Sequence, residues 1–225
     1  MDLGVLNNDF GKMKFVMKDR IASMLRDLIL KGEIAPGTKL KAGDIAEKIG
    51  VSRGPVREAI WQLVQEGLVV HDPHHTPMVV ELSPLDAWEI YTLRAALEQM
   101  AVELMASTVT DDDLDYLAGL IGDMRALRPG DNMSQALALD LAFHGHICSL
   151  SGHGRLTDAF RAMDPAIGAV FVGIAVLFGR GPETMAERHE PILAVLRQRN
   201  PTEAMAAVRE HYWTRAGEFL RAGTR

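Results

Sequence analysis

Residues 44–60 read Asp-Ile-Ala-Glu-Lys-Ile-Gly-Val-Ser-Arg-Gly-Pro-Val-Arg-Glu-Ala-Ile, and this stretch constrains the fold more than any other. A short helix over 44–49 stops at Gly50, a residue suited to the left-handed position just past a helix end. A second helix begins at Ser52, which can cap it, and tolerates Pro55 in its first turn. Its apolar face is Val56, Ile60, Leu63 and Val64, and Gly67 ends it. Two short helices joined by a tight glycine-containing turn make a helix-turn-helix. Arg53 and Arg57 stand four residues apart on one face of the second helix. In this architecture that end enters the DNA major groove, where arginine donates a bidentate pair to guanine or clamps a phosphate. Two solvated arginines on a surface helix would show the same spacing.

The flanks extend the reading. Phe15, Ile21, Leu25, Leu28 and Ile29 recur at helical spacing, which predicts a helix ending before the turn pair Pro36-Gly37. Residues 1–13 are expected to form a flexible tail. Residues 68–71 and 78–82 are short, β-branched and flank a tip rich in proline and histidine, which predicts a two-stranded wing. From Ser83 onward every segment reads as helix. Ser83-Pro84-Leu85-Asp86, Thr110-Asp111-Asp112-Asp113 and Asn200-Pro201-Thr202-Glu203 mark three starts. Helices are expected over 84–107, 111–127, 132–150, 154–178, 183–199 and 201–222, with Asp164-Pro165 able to split the fourth. The fold class is thus mainly α: a winged helix-turn-helix domain over 14–82, with a small two-stranded wing, and a C-terminal all-α bundle over 83–225.

Composition limits the partners. The net charge of −6, taken alone, argues against nucleic acid, but the charge is uneven. Residues 1–81 hold 11 basic and 11 acidic side chains, whereas the remainder holds 13 and 19. Residues 39–57 carry five basic side chains (Lys39, Lys41, Lys48, Arg53, Arg57) against Asp44 and Glu47, and such a local patch is the footprint of a DNA-binding face. Cys148 is the one cysteine, so no intramolecular disulfide forms and a reducing cytoplasm is the expected home. The longest uncharged apolar run, 166–178, falls short of the roughly 20 residues of a membrane span and reads as a core helix. Met100, Met105, Met124 and Met163 recur at helical spacing and read as core.

The second half contains a candidate metal site. Asp140 and His144 share one face of a helix, four residues apart, and His189 and His211 lie on two later helices. One carboxylate and three imidazoles from three helices of a bundle can close a divalent site with open coordination positions. Taken singly, each histidine also fits an exposed or core-satisfied residue. Zn²⁺ is the expected ion, with Ni²⁺ or Mn²⁺ as alternatives, because imidazole nitrogen suits several of these metals and availability then decides. Cys148 lies four residues after His144 and reads either as facing the same cavity or as a small buried hydrophobe. His146 points to another face, and His153 reads as a cap or an exposed loop residue.

Two resemblances sharpen these readings. The run Gly50-Val-Ser-Arg-Gly-Pro-Val-Arg-Glu-Ala-Ile, followed by Leu63 and Glu66-Gly67-Leu68-Val69, resembles the GntR family of bacterial repressors. The resemblance implies Arg53 and Arg57 as the main operator contacts and Ser52 as a cap that touches the DNA backbone. Lys41, His75 and Thr76 complete the expected DNA-binding set. The family's wing tip usually carries Arg-Gly where this chain has His75-Thr76, which removes the close approach that glycine allows. His74 and His75 then either make wing contacts or are ordinary loop histidines. Leu93-Arg94-x3-Glu98, Asp140-x3-His144, Arg188-His189-x2-Ile192 and His211 resemble the FCD effector domain of the FadR subfamily, over 84–222. There Asp140, His144, His189 and His211 match the family's metal ligands one for one. Six helices rather than seven would place the chain near the VanR-like branch. Pro191, two residues after His189, departs from the pattern and can kink the helix and displace that ligand.

The resemblance implies a cytoplasmic, homodimeric transcription regulator, expected to be a repressor, on a pseudo-palindromic operator. Its effector is expected to be a small carboxylate on the metal, with Arg94 as a second anchor; alternatively Arg94 pairs with Glu98, four residues on. The competing reading is a metal-dependent enzyme using the Asp/His3 site. Against it, no further carboxylate has the spacing of a general base, and an enzyme has no evident use for a helix-turn-helix.

Overall fold

The computed structural model describes the backbone of residues 3–128, 133–178 and 182–222, and the side chains of these except 3–15, 175 and 176. Its contacts divide the chain into two units, Met1–Glu81 and Leu82–Arg225, one residue from the boundary expected at 82/83.

The first unit contains α1 (Leu3–Leu30), α2 (Ala42–Ile49), α3 (Arg53–Gln65), β1 (Val69–Val70) and β2 (Met78–Val79). Helix α1 begins at Leu3, so the segment expected to be a tail is helical from that point; Met1 and Asp2 lie outside the described residues. No proline precedes Pro36, so nothing in the chain removes a donor from the α1 ladder. Ile21, Ala22, Leu25 and Ile29 of α1 and Val56, Ala59, Ile60 and Leu63 of α3 are all buried, and the two helices pack together. Gly50 takes φ 71° after α2, as its place in the turn requires. Ser52 sits at the N-cap of α3 with extended backbone, but its hydroxyl makes no capping bond, contrary to the expected role.

The wing pairs Val69 with Val79 and Val70 with Met78, antiparallel. The other edge of β2 is also occupied. Gly37 N donates to Val79 O (3.0 Å), Val79 N to Thr38 O (2.9 Å) and Leu40 N to Pro77 O (2.7 Å). Residues 37–40 therefore shield an edge that the sequence left open. Glu66, just past α3, receives Arg26 of α1 in a fork: Nε to Oε2 and Nη2 to Oε1, each 2.6 Å. Glu66 of the Glu-Gly-Leu-Val run thus fastens the end of α3 to α1.

The second unit contains α4 (Pro84–Met105), α5 (Asp111–Ala126), α6 (Met133–Leu150), α7 (Gly154–Arg161), α8 (Asp164–Phe178), α9 (Met185–Leu196) and α10 (Pro201–Ala222), with a 3₁₀ turn at Pro182–Thr184. Ser83 with Asp86 and Thr110 with Asp113 form the two capping boxes read from the sequence. Asn200 Oδ1 accepts from the amides of Thr202 and Glu203. His153 caps α7 by accepting from Leu156 N. The expected fourth helix is two, because Pro165 cannot continue α7 yet fits the first turn of α8. Among the described residues the unit therefore has seven α-helices rather than six, and the count that pointed to a VanR-like branch is not met. The expected start of α6 at residue 132 lies outside the described residues. Helices α4 and α10 pack along each other, α6 and α7 lie against α4, and α5 against α9. Met105 and Met124 are buried as expected, but Met100 is 44% exposed. No described helix is long and apolar enough to cross a membrane.

The Arg26–Glu66 fork yields a direct test. Glu66→Ala leaves a largely buried guanidinium without its partner and is expected to cost about 1–3 kcal/mol. Urea unfolding of the first unit, followed through Trp61 fluorescence, is to show a lower midpoint at unchanged slope.

Candidate metal centre and nucleic-acid interface

Helices α6, α9 and α10 bring Asp140, His144, His189 and His211 together. The Nε2 atoms of His144 and His189 are 3.1 Å apart. Asp140 Oδ1 lies 3.3 Å from His189 Nε2 and 3.9 Å from His144 Nε2. Ligand atoms of the three histidines fall within 4.8 Å of one another. Metal–nitrogen bonds of about 2.0–2.1 Å put neighbouring ligand atoms roughly 2.9–3.4 Å apart, which the 3.1 Å and 3.3 Å separations match, while a separation near 4.8 Å must close to about 4.2 Å or less for one ion to reach every ring. Helix α9 runs unbroken through Pro191, and His189 stays in the cluster.

The partners of the other ring nitrogens fix the direction of the lone pairs. Nδ1 of His189 faces Met185 O (2.8 Å), and Nδ1 of His211 faces Arg188 O (3.1 Å). A carbonyl only accepts, so both Nδ1 atoms carry the proton. Nδ1 of His144 faces a carboxylate oxygen of Glu98 at 2.9 Å, with the same consequence. All three Nε2 atoms then hold inward lone pairs. Lone pairs 3.1 Å apart repel unless a proton or a cation lies between them. Three such nitrogens beside a carboxylate, each held by an outer partner, match the donor set that a divalent ion takes.

Electrostatics agree. Burial holds the His211 imidazole well below the ordinary histidine range, and the charges on His189 and His144 push the same way, against Asp140. Burial pushes Asp140 up, but His189, His144 and Arg94 outweigh it, His189 through a hydrogen bond and all three through positive charge when the imidazoles are protonated, and they hold the carboxyl below the usual range. A neutral imidazole and an ionised carboxylate are the ligating forms.

The cavity in front of these atoms measures about 30 Å³, with Tyr91, Ile167, Phe171, Arg188, Tyr212 and Arg215 in its walls. That is room for an ion and about one water. Behind the cavity, Glu98 is fully buried and takes the Tyr212 hydroxyl on its second oxygen at 2.6 Å. Arg94, also fully buried, donates from Nε to that hydroxyl and from Nη1 to Asp164, each at 3.4 Å, and stacks 4.0 Å from the Phe160 ring. It forms no ion pair with Glu98. Nor does it stand among the residues that line the cavity, so the expected role of Arg94 as a second anchor for the effector is not met by direct contact; it acts there through the Tyr212 hydroxyl and through its charge on Asp140. The arginines in the cavity wall are Arg188 and Arg215. The sequence carried a signal for both: Arg188 precedes His189, and Arg215 lies four residues after His211 on the same face. Cys148 packs with Ala101, Leu156 and Phe160 as a core hydrophobe. His146 lies against Asp113 and Tyr116, away from the cluster.

In the first unit, a concave surface between α3 and the wing is lined by Lys41, Arg53, Arg57, Trp61, His75 and Thr76, among others. Five of the six expected DNA-binding residues meet there; Ser52 is exposed beside them. Gly43 leaves space for Arg53, whose Nε would lie 3.6 Å from a Cβ at that position. Trp61, 53% exposed, was missed by the sequence reading although it lies four residues after Arg57; its ring meets His71 at 4.9 Å. The left-handed position of the wing turn falls on His74, with φ 71°. A side chain there costs about 1–2 kcal/mol that glycine would not.

Comparisons with known proteins agree with this geometry. Residues 17–75 match the gntR family of bacterial regulatory proteins, and residues 89–213 match the FCD domain. The chain is 27% identical over 192 residues to the HTH-type transcriptional regulator YdhC of Bacillus subtilis, covering 84% of this chain and 85% of that one. It is 28% identical over 197 residues to the HTH-type transcriptional repressor GlaR of Escherichia coli, covering 84% and 90%. A crystal structure of a putative GntR transcriptional regulator from Rhodococcus superposes with a TM-score of 0.66 at 25% identity, over 91% of this chain and 98% of that one. These families and relatives are transcriptional regulators, not enzymes. The chain belongs to the GntR family of bacterial transcriptional regulators, with an FCD domain as its C-terminal unit.

Proposed function

We propose that Asp140, His144, His189 and His211 hold one divalent ion, and that a small carboxylate at this ion controls the affinity of the regulator for its operator. The observation that carries the reading is the set of three inward Nε2 lone pairs beside an ionised carboxylate. Zn²⁺ is the expected occupant, before Ni²⁺ or Mn²⁺, and supplies open positions for an anionic oxygen. Arg188 and Arg215, in the cavity wall, offer the planar donor forks that match a carboxylate. Arg94 acts from behind: it holds the Tyr212 hydroxyl, which with Glu98 orients His144. A carboxylate at the ion meets residues of α6, α9 and α10 together, and so acts on how these helices pack. It biases the equilibrium only by its difference in affinity between the two helix arrangements.

On the DNA side, Arg53 and Arg57 read base edges or clamp phosphates, Lys41 and Ser52 take the backbone, and His75 and Thr76 extend from the wing. The chain acts as a repressor and as a homodimer on a pseudo-palindromic operator. Support for a second copy comes from α4, where Leu85, Leu93, Met100 and Leu104 form one exposed apolar stripe. Two-fold protein symmetry maps onto two-fold operator symmetry.

Two outcomes test this reading. Arg57→Ala is expected to lose about 1–3 kcal/mol of sequence discrimination. Gel shifts on full and half operators at physiological salt measure it; wild-type preference in the variant, or equal affinity of a sedimenting monomer for a half-site, contradicts it. Metal content is expected near one ion per chain and is to be lost in His144→Ala and His211→Ala by elemental analysis. The metal-free protein adds a pH signature. Folding keeps His211 neutral, whereas the unfolded chain protonates it near its ordinary value of 6.5, so protons favour unfolding. Stability of the stripped FCD unit is therefore full above about pH 6.5 and falls as the pH drops below it.

A further inference from the structure

A groove of about 280 Å³ opens between α9 and α10, and it shares Arg188, His211 and Arg215 with the metal cavity. Its apolar lining is Pro191, Ile192 and Ala207, and Glu210 and Glu218 line it as well. Arg188 Nη1 is buried and has no hydrogen-bond partner, although the residue borders both spaces. An unsatisfied buried donor is costly, and an acceptor arriving there relieves it. Arg215 donates to Glu218 at 2.6 Å, and Thr214 to Glu210 at 2.8 Å.

We propose that this groove continues the effector site and takes the uncharged, apolar body of a monocarboxylate whose head lies at the ion, beside Arg188 and Arg215. The inference rests on the carboxylate reading above and names the class of acid. A cavity of about 30 Å³ holds an ion and little more, so any acid larger than acetate needs further room. The groove offers that room against Ile192, Ala207 and Pro191. Each methylene buried there raises affinity about fourfold. The carboxylates of Glu210 and Glu218 both line the groove and oppose a second acid group on its occupant, which selects monocarboxylates over dicarboxylates of the same length.

Calorimetry on the Zn²⁺-loaded full chain tests this with acetate, butyrate, hexanoate and adipate. Affinity is expected to rise from acetate to hexanoate by about fourfold per added methylene, and adipate is to bind at least about tenfold more weakly than hexanoate, a gap of about 1.4 kcal/mol. Ala207→Trp fills the groove from the half-exposed side of α10 and is to bring the hexanoate-to-acetate ratio close to one. Glu218→Gln is to narrow the gap between adipate and hexanoate. Equal binding of acetate and hexanoate, or an unchanged ratio in Ala207→Trp, overturns the groove assignment while the carboxylate reading stands. Adipate binding as well as hexanoate overturns the monocarboxylate selection. Failure of acetate itself to bind the loaded protein overturns the carboxylate reading and this inference with it.

Discussion

Glu98 is a carboxylate with no exposed surface, and the helical unit is organised around satisfying it. One oxygen receives His144 Nδ1–H and the other the Tyr212 hydroxyl, which fixes α4 against α6 and α10 together. Burying such a group is unfavourable unless both oxygens are bonded, so the three helices have little freedom to slide. The same bond orients the His144 ring and turns its Nε2 toward His189. Arg94 carries the network on, from the Tyr212 hydroxyl to Asp164 at the start of α8. A line of charge-assisted contacts therefore crosses α6, α4, α10 and α8, with the candidate metal ligands at one end and the proline-induced break before α8 at the other.

What the sequence revealed followed the range of the interactions involved. The helix-turn-helix was legible because Gly50, Ser52 and Pro55 act within a few residues, and the capping boxes at Ser83 and Thr110 did so for the same reason. Pro165 was legible as a break, though not as a count of seven helices. The four candidate ligands were legible through the Asp140–His144 spacing and the family resemblance. Arg94 was not. Its place on the helix suggested an anchor for the effector, or else a local pair with Glu98, yet both side chains point into the core, where Tyr212, more than a hundred residues away, bonds to each. The pairing of residues 37–40 with β2 is likewise long-range, and the charged Lys39 within that stretch masked it. The hydroxyl of Ser52 shows the opposite limit: a residue of the right type at the right position that leaves its capping bond unmade.

Charge and function divide between the two units. The acidic excess lies in the FCD unit, so the basic patch of Lys41, Arg53 and Arg57 stands in an otherwise neutral unit. A whole-chain charge of −6 therefore does not oppose DNA binding; it suppresses unspecific attraction along the duplex and leaves discrimination to the recognition helix. The His74 turn fits the same pattern. A left-handed residue with a side chain costs some stability, and it sets the His74 imidazole at the turn of the wing, next to the His75-Thr76 pair that stands where the family usually carries Arg-Gly.

The central claim is that the three inward Nε2 atoms and Asp140 form one metal centre. X-ray absorption at the metal edge of the Zn²⁺-loaded protein tests it most directly, because imidazole rings leave a distinctive outer-shell scattering pattern. The account predicts three imidazole nitrogens at about 2.0–2.1 Å with oxygen completing the shell. A hydrated ion without imidazole scattering, or a sulfur neighbour, would contradict it.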